Sequence, residues 1–189
     1  MVETQQHKSV PFIEGITINL CPPNTDHINL YAKWMNTPET RKYFGHSFPQ
    51  IVEEAKNLFE PENGVVKEKI IFEIGHKKDD KPIGYTGLTQ IRWFDRTAFI
   101  FYIIGEPEYW GKGIATEAGT LVVNYGFTEL NLNKISARVF EPNKASIIVA
   151  KKIGLIHEIT FKDEIYIDGT FVDSLHYSIL KKEWKKMKD

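Results

Sequence analysis

The residues best placed to do chemistry lie in one stretch, Tyr109 to Thr128, which reads YWGKGIATEAGTLVVNYGFT. A hydrophobic run from Phe99 to Ile104 precedes it, Gly111 and Gly113 bracket Lys112, and a long amphipathic segment follows without a break. Strand, glycine-rich turn and helix in that order build an anion site. Glycine lets the backbone approach a ligand, and the free N–H groups at the helix start, with the macrodipole behind them, face negative charge. Spacing then separates the phosphate ligands. A nucleoside-triphosphate loop needs G-x-x-x-x-G-K-[ST], but Gly105 lies one residue too far from Gly111 and Lys112 is followed by Gly113. That reading fails. The dinucleotide fingerprint G-x-G-x-x-G fits at Gly111 and Gly113, yet it puts Thr116 where close helix–sheet packing wants a small residue. It also usually opens a series of βαβ units, whereas this turn comes late, after several strands.

Composition bounds the classes. With 189 residues, 42% of them hydrophobic and 13% aromatic, the chain is most simply one domain with a packed core. We expect a flexible N-terminus at 1–12 and a single domain over 13–189. A net charge of −1 gives no global pull toward nucleic acid or an anionic membrane. Cys21 is the lone cysteine, which excludes a disulfide framework and suits a reducing cytoplasm. No apolar stretch reaches the ~18 residues of a membrane-spanning helix. The histidines at 7, 27, 46, 76, 157 and 176 form no H-x-x-x-H pair, so no metal site is expected.

The elements that position the glycine turn follow from periodicity. Residues 13–20 alternate as a first strand, ended by Pro22-Pro23. Asn24 caps a helix with Ile28, Tyr31, Ala32 and Met35 on one face, Thr37-Pro38 starts a short one, and residues 50–59 form a third with Ile51, Ala55 and Leu58 inward. A turn follows at 60–64. Residues 70–74, 83–93 and 97–104 read as three strands with tight connections, an antiparallel meander. The central helix buries Ala118, Leu121, Val122 and Tyr125, and residues 134–140 form the next strand. Asn143 caps a helix with Ala145, Ile148 and Val149 inside, and Gly154 stops it. Residues 157–167 and 171–180 close a hairpin around Asp168-Gly169. The fold class is α/β (an α+β mixed sheet) in the order β-α-α-β-β-β-α-β-α-β-β. The one crossover, around the glycine turn and its helix, makes its two strands parallel.

Three spaced motifs carry a family resemblance. Trp110-Gly-Lys-Gly-Ile-Ala115 fits [QR]-x-x-G-x-[GA], with Trp110 in place of Gln or Arg. Asn143-Lys-Ala-Ser146, a helix and then Gly154-Leu155 fit N-x-x-S followed by G-[FL]. Tyr166 through Trp184 reads Y-x-D-G-x-x-x-D-x-x-x-Y-S-x-L-x-x-E-W. In this order they resemble the GNAT N-acetyltransferases, and within them the branch of ribosomal-protein N-terminal (alanine/serine) acetyltransferases.

The resemblance implies the GNAT fold, a mostly antiparallel sheet with one splayed parallel pair. It implies acetyl-CoA as co-substrate, without a metal, and direct acetyl transfer to a primary amine. The acceptor would be a protein N-terminus or a small molecule such as an amino sugar, antibiotic or polyamine; monomer and homodimer stay open. The pantetheine amides would pair with the backbone of Ile103, Ile104 and Gly105. The pyrophosphate would sit on Gly111, Lys112, Gly113, Ile114, Ala115 and Thr116, and Asn143 would reach a pantetheine amide. Many relatives protonate the leaving thiolate with a Tyr seven residues after the motif Asn. Ala150 stands there, which points to Ser146 instead. Residues 98–102 carry no carboxylate, so Glu164 is the nearest candidate base. Deprotonating an α-amine at pH 7 costs about 1 kcal/mol and a lysine-type amine about 4.6, so a weak base suits the former. Trp34, Asn36, Arg41, Tyr43 and His46 could line the acceptor side, Cys21 reads as structural, and the lysine-rich tail as a helix packed through Trp184. The second function class is an acyl-CoA-binding sensor without turnover, motivated by the missing Tyr and strand carboxylate.

Overall fold

A computed structural model describes residues 10–43, 48–59 and 67–187. The loop carrying His46 and the turn at 60–64 lie outside them. One sheet carries the fold. Its strands are β1 (Ile13–Glu14), β2 (Ile18–Cys21), β3 (Ile70–His76), β4 (Lys81–Arg92), β5 (Thr97–Ile104), β6 (Lys134–Phe140), β7 (Ile156–Ile167) and β8 (Thr170–Leu180). They lie in the order β1-β2-β3-β4-β5-β6-β8-β7, antiparallel throughout except for β5 beside β6. The helices are α1 (Ile28–Asn36), α2 (Pro38–Arg41), α3 (Val52–Phe59), α4 (Ile114–Thr128), α5 (Lys144–Lys152) and α6 (Lys181–Lys186).

The expected mixed sheet with one parallel pair is present, and β5 and β6 keep the expected bounds. The expected first strand does not run unbroken. It folds back at Gly15, whose N–H donates to the Ile18 carbonyl at 2.9 Å, and β1 pairs with β2 as a small hairpin. A side chain there would collide with the Glu117 carboxylate, 2.5 Å from where a Cβ would stand.

Both faces of the sheet are covered. On one, Ala118 and Val122 of α4 and Ile153 after α5 pack on Ile100, Ile135 and Ile179. On the other, Tyr31 and Trp34 of α1 and Ala55 of α3 pack on Tyr85. The buried Glu73 of β3 accepts hydrogen bonds from Tyr31 Oη at 2.6 Å and lies 2.5 Å from His27 Nδ1, fixing α1 to the sheet. The short α6 docks as expected through Trp184, whose indole donates to Asn124 Oδ1 at 2.8 Å.

The parallel pair is short. β5 and β6 meet only at Thr97–Lys134, Ala98–Ile135 and Phe99–Ser136. Beyond them β5 stays bonded to β4 as far as Ile104, and β6 stays bonded to β8 as far as Phe140. Each strand follows its outer neighbour, so the sheet divides after Phe99.

Candidate active site

The glycine turn sits beside this division. β5 ends at Ile104, a 3₁₀ turn at Pro107–Tyr109 follows, and Gly111 and Gly113 adopt φ of +72° and +81°. These are left-handed conformations that glycine takes at little cost. A Cβ at either would meet nothing within 4 Å, so space stands open before both. Gly113 caps α4 with no side-chain hydrogen bond to its first turn. Ile114, Ala115 and Thr116 therefore present their N–H groups without intrahelical partners. Glu117, the acidic residue of that turn, faces elsewhere and accepts the Thr17 N–H at 2.8 Å. Two contacts brace the turn. Tyr109 Oη donates to the Asp79 carboxylate, and Trp110 Nε1 donates to the Ile104 carbonyl at 2.8 Å. The tryptophan that replaces Gln or Arg thus ties the loop to the end of β5.

A cavity of about 490 Å³ joins the loop, the divided end of β5, the first turns of α5, and α2. Of the residues expected to bind cofactor, Ile103, Ile104, Gly111, Gly113, Ile114, Ala115, Thr116, Asn143 and Ser146 line it. Lys112 stands aside with its Nζ 5.3 Å over the Tyr109 ring. Gly105 is also set apart, its N–H donating to the Ile83 carbonyl at 2.9 Å. Alternate residues of an antiparallel ladder bond to the same neighbour. Ile103 is thereby turned to β4 along with Gly105, while the backbone groups of Tyr102 and Ile104 face the opening.

The α5 face differs from expectation. Ala150 is fully buried, while Ala145 and Ile148 are exposed and Val149 half-buried. All three line the cavity, and Val149 also packs against the core as expected. Asn143 caps the helix, its Oδ1 accepting the Ser146 N–H at 3.0 Å. Tyr102 reaches across from β5, with Oη 3.2 Å from Ser146 Oγ and 3.1 Å from the Ser146 carbonyl. Burial pushes its phenol up to about 12.

Glu164 is not brought to the cavity. It lies on β7 and pairs with Arg138 Nη2 at 3.0 Å, within the register shift between Phe161 and Ile165. Of the acceptor-side candidates among the described residues, only Tyr43 lines the cavity. Trp34 is buried, with its indole donating to Glu106 at 2.8 Å. Asn36 braces the backbone of Gln50, with bonds of 2.8 and 2.9 Å. Arg41 is exposed. Four lining residues escape the sequence reading: Glu39, Thr40, Tyr102 and Lys152. Alternation along β5 could have revealed Tyr102, which shares its face with Ile100 and Ile104; nothing local marks Glu39.

A sheet divided beside a left-handed glycine turn and a bare helix N-terminus, all on one cavity, makes a cleft with an anion site at its edge. Residues 17–156 match the family model described as the acetyltransferase (GNAT) domain. An uncharacterized N-acetyltransferase p20 of Bacillus licheniformis is 31% identical over 158 residues, 82% of this chain and 88% of that protein. A putative ribosomal N-acetyltransferase, YdaF, of Bacillus subtilis is 34% identical over 113 residues, 60% of this chain and 61% of that one. Among solved structures, spermidine N-acetyltransferase from Vibrio cholerae in complex with CoA and spermine has a TM-score of 0.80 at 23% identity, covering 89% of this chain and 98% of that one. The chain belongs to the GNAT acetyltransferase family.

Proposed function

We propose that this enzyme moves the acetyl group of acetyl-CoA to a primary amine of a small, multiply cationic molecule of the polyamine kind. One observation carries the acceptor class: among the described residues, Glu39 is the carboxylate lining the cavity. It stands on α2, on the same cavity as the glycine turn. A carboxylate there attracts an acceptor's distal ammonium while the reactive nitrogen enters the divided sheet.

The co-substrate's pyrophosphate takes the N–H groups of Gly111, Gly113, Ile114, Ala115 and Thr116, with the Lys112 charge nearby. Its pantetheine amides take the outward backbone of Tyr102 and Ile104. Asn143 spends its Oδ1 on the Ser146 N–H, which leaves Nδ2 to donate to a pantetheine carbonyl. The amine nitrogen attacks the thioester carbon, the C–S bond breaks, and Ser146 Oγ–H faces the departing sulfur. With Glu164 paired to Arg138 outside the cavity, the free amine must come largely from solution equilibrium. For a strongly basic polyamine nitrogen this costs about 4.6 kcal/mol at pH 7, against about 1 for an α-amine. The acceptor class therefore rests on Glu39 and not on ease of deprotonation. Rate should then rise about tenfold per pH unit below the acceptor's pKa.

The test is release of the CoA thiol from acetyl-CoA across an amine panel: spermidine, a monoamine, an amino sugar and peptides with N-terminal Ala or Ser. Glu39→Gln is expected to raise KM for spermidine about three- to fivefold, the size of an exposed ion pair, while leaving that for the monoamine unchanged. Turnover of the peptides alone, or an unchanged spermidine KM in the variant, overturns the acceptor class. No turnover with any amine returns the chain to the sensor reading.

A further inference from the structure

We propose that Tyr102 is the positioning residue of the leaving-group step, its hydroxyl orienting and polarising Ser146 Oγ–H toward the thioester sulfur. This rests on the reading that Ser146 faces the departing thiolate. The observation behind it is a hydroxyl pair on the cavity wall contributed by two different elements. Tyr102 comes from the end of β5 that has parted from β6, and Ser146 from the first turn of α5. The phenol ring is wedged under α4, where a Cβ on Gly119 would lie 3.7 Å from its Cδ1. Its Oη stands 3.1 Å from the Ser146 carbonyl and 3.2 Å from Ser146 Oγ.

The geometry leaves the pair little freedom. Asn143 holds the Ser146 N–H, so the serine backbone is fixed and only its hydroxyl rotor turns. A phenol has one proton to give, and the serine carbonyl and hydroxyl compete for it at nearly equal distance. While sulfur is neutral, either acceptor serves. As negative charge grows on sulfur, donation to Oγ is favoured, because Tyr–OH to Ser–OH to S⁻ is then a chain whose bonds polarise one another. Ala150, fully buried and without a polar group, offers nothing in place of this pair.

Magnitudes decide between donating a hydrogen bond and giving up the proton. The Tyr102 phenol lies near about 12, while an alkyl thiol lies near about 8.5. Transfer from phenol to thiolate is thus disfavoured by roughly three powers of ten. Tyr102 therefore stabilises the leaving group without ionising. The step balances without it. The amine lone pair forms the C–N bond, the C–S pair leaves on sulfur, the nitrogen gives its proton to solvent, and the thiolate takes one back.

The test uses the full chain, acetyl-CoA and the amine that gives the fastest turnover in the panel. Tyr102→Phe keeps the ring and removes the hydroxyl. It is expected to lower kcat by about 10–100-fold, with KM for acetyl-CoA and the acetyl-CoA-induced melting shift within twofold of wild type. Ser146→Ala is expected to fall comparably, and the double variant no lower than the worse single one. Wild-type kcat in Tyr102→Phe beside a slow Ser146→Ala overturns this inference alone. Wild-type kcat in Ser146→Ala overturns the reading beneath it. Multiplicative losses in the double variant, or a KM effect without a kcat effect, overturn the coupling and leave Tyr102 a packing residue.

Discussion

Replacing Gly113 with alanine separates two consequences of one backbone angle. At φ of +81° an L side chain is strained, by about 1–2 kcal/mol. No atom lies within 4 Å of the new methyl, so packing adds nothing to that cost. For a chain of this size, 1 kcal/mol moves the melting point by about 2–4 °C, so the variant is expected to melt about 2–8 °C lower. If the strain relaxes by rotation, the N–H groups of Ile114 and Ala115 turn off the pyrophosphate axis. Losing one such hydrogen bond to a charged group costs about 1.5–3 kcal/mol, at least tenfold in affinity. At acetyl-CoA near 100 times the wild-type Kd, binding adds about 2.7 kcal/mol; a tenfold weaker site gains only about 1.4. Melting curves with and without acetyl-CoA read both effects. Gly113→Asn is the control, because asparagine tolerates the left-handed region. An alanine variant that melts with the wild type, or one that keeps the whole acetyl-CoA shift, refutes the reasoning.

Two further expectations concern groups away from the cavity. Burial, with Glu73 second, pushes the Cys21 thiol up to about 11, so at pH 8 only about one molecule in a thousand carries the reactive thiolate. A disulfide reagent such as DTNB should label native protein at least 100-fold more slowly than denatured protein, and comparable rates would show Cys21 open to solvent. The Lys134 ammonium, bonded at 2.8 and 2.9 Å, holds the Glu158 carboxyl below its usual range. A lowered folded value means stability that is present above the ordinary glutamate pKa near ~4.3 and lost as pH falls through the folded one. Glu158→Gln should therefore melt about 1–3 °C below wild type at pH 7 and together with it at pH 2.5. An equal gap at both pH values would mean that the loss is not electrostatic.

Much of this architecture was legible because local signals agreed. β5 and β6 are apolar runs bounded by polar turns, and Asp168-Gly169 sits at its hairpin with φ of +50° and +85°. Gly154, at φ +90°, ends α5 as expected. The failures share one cause: each depended on what lay across space. Gly15 interrupts an alternating pattern only because Glu117, a hundred residues later, fills the room a side chain needs. Ala145 and Ile148 are apolar and so read as core, but the divided sheet leaves a cavity against them. Glu164 falls outside because β7 shifts register and Arg138 captures the carboxylate. Glu39 is one of several exposed acids until the fold brings α2 to the cavity.

The apolar wall of α5 has a calorimetric consequence. Ile148 is 53% exposed, beside Ala145 and Val149 on the cavity wall. An acyl-pantetheine arm laid along this wall removes apolar surface from water, and such burial lowers the heat capacity of the system. Binding enthalpy should then grow more negative as temperature rises, with entropy moving oppositely and affinity changing little. Measured over 10–35 °C, that slope would show how much of the hydrophobic layer between sheet and α5 is completed by the ligand rather than by the chain.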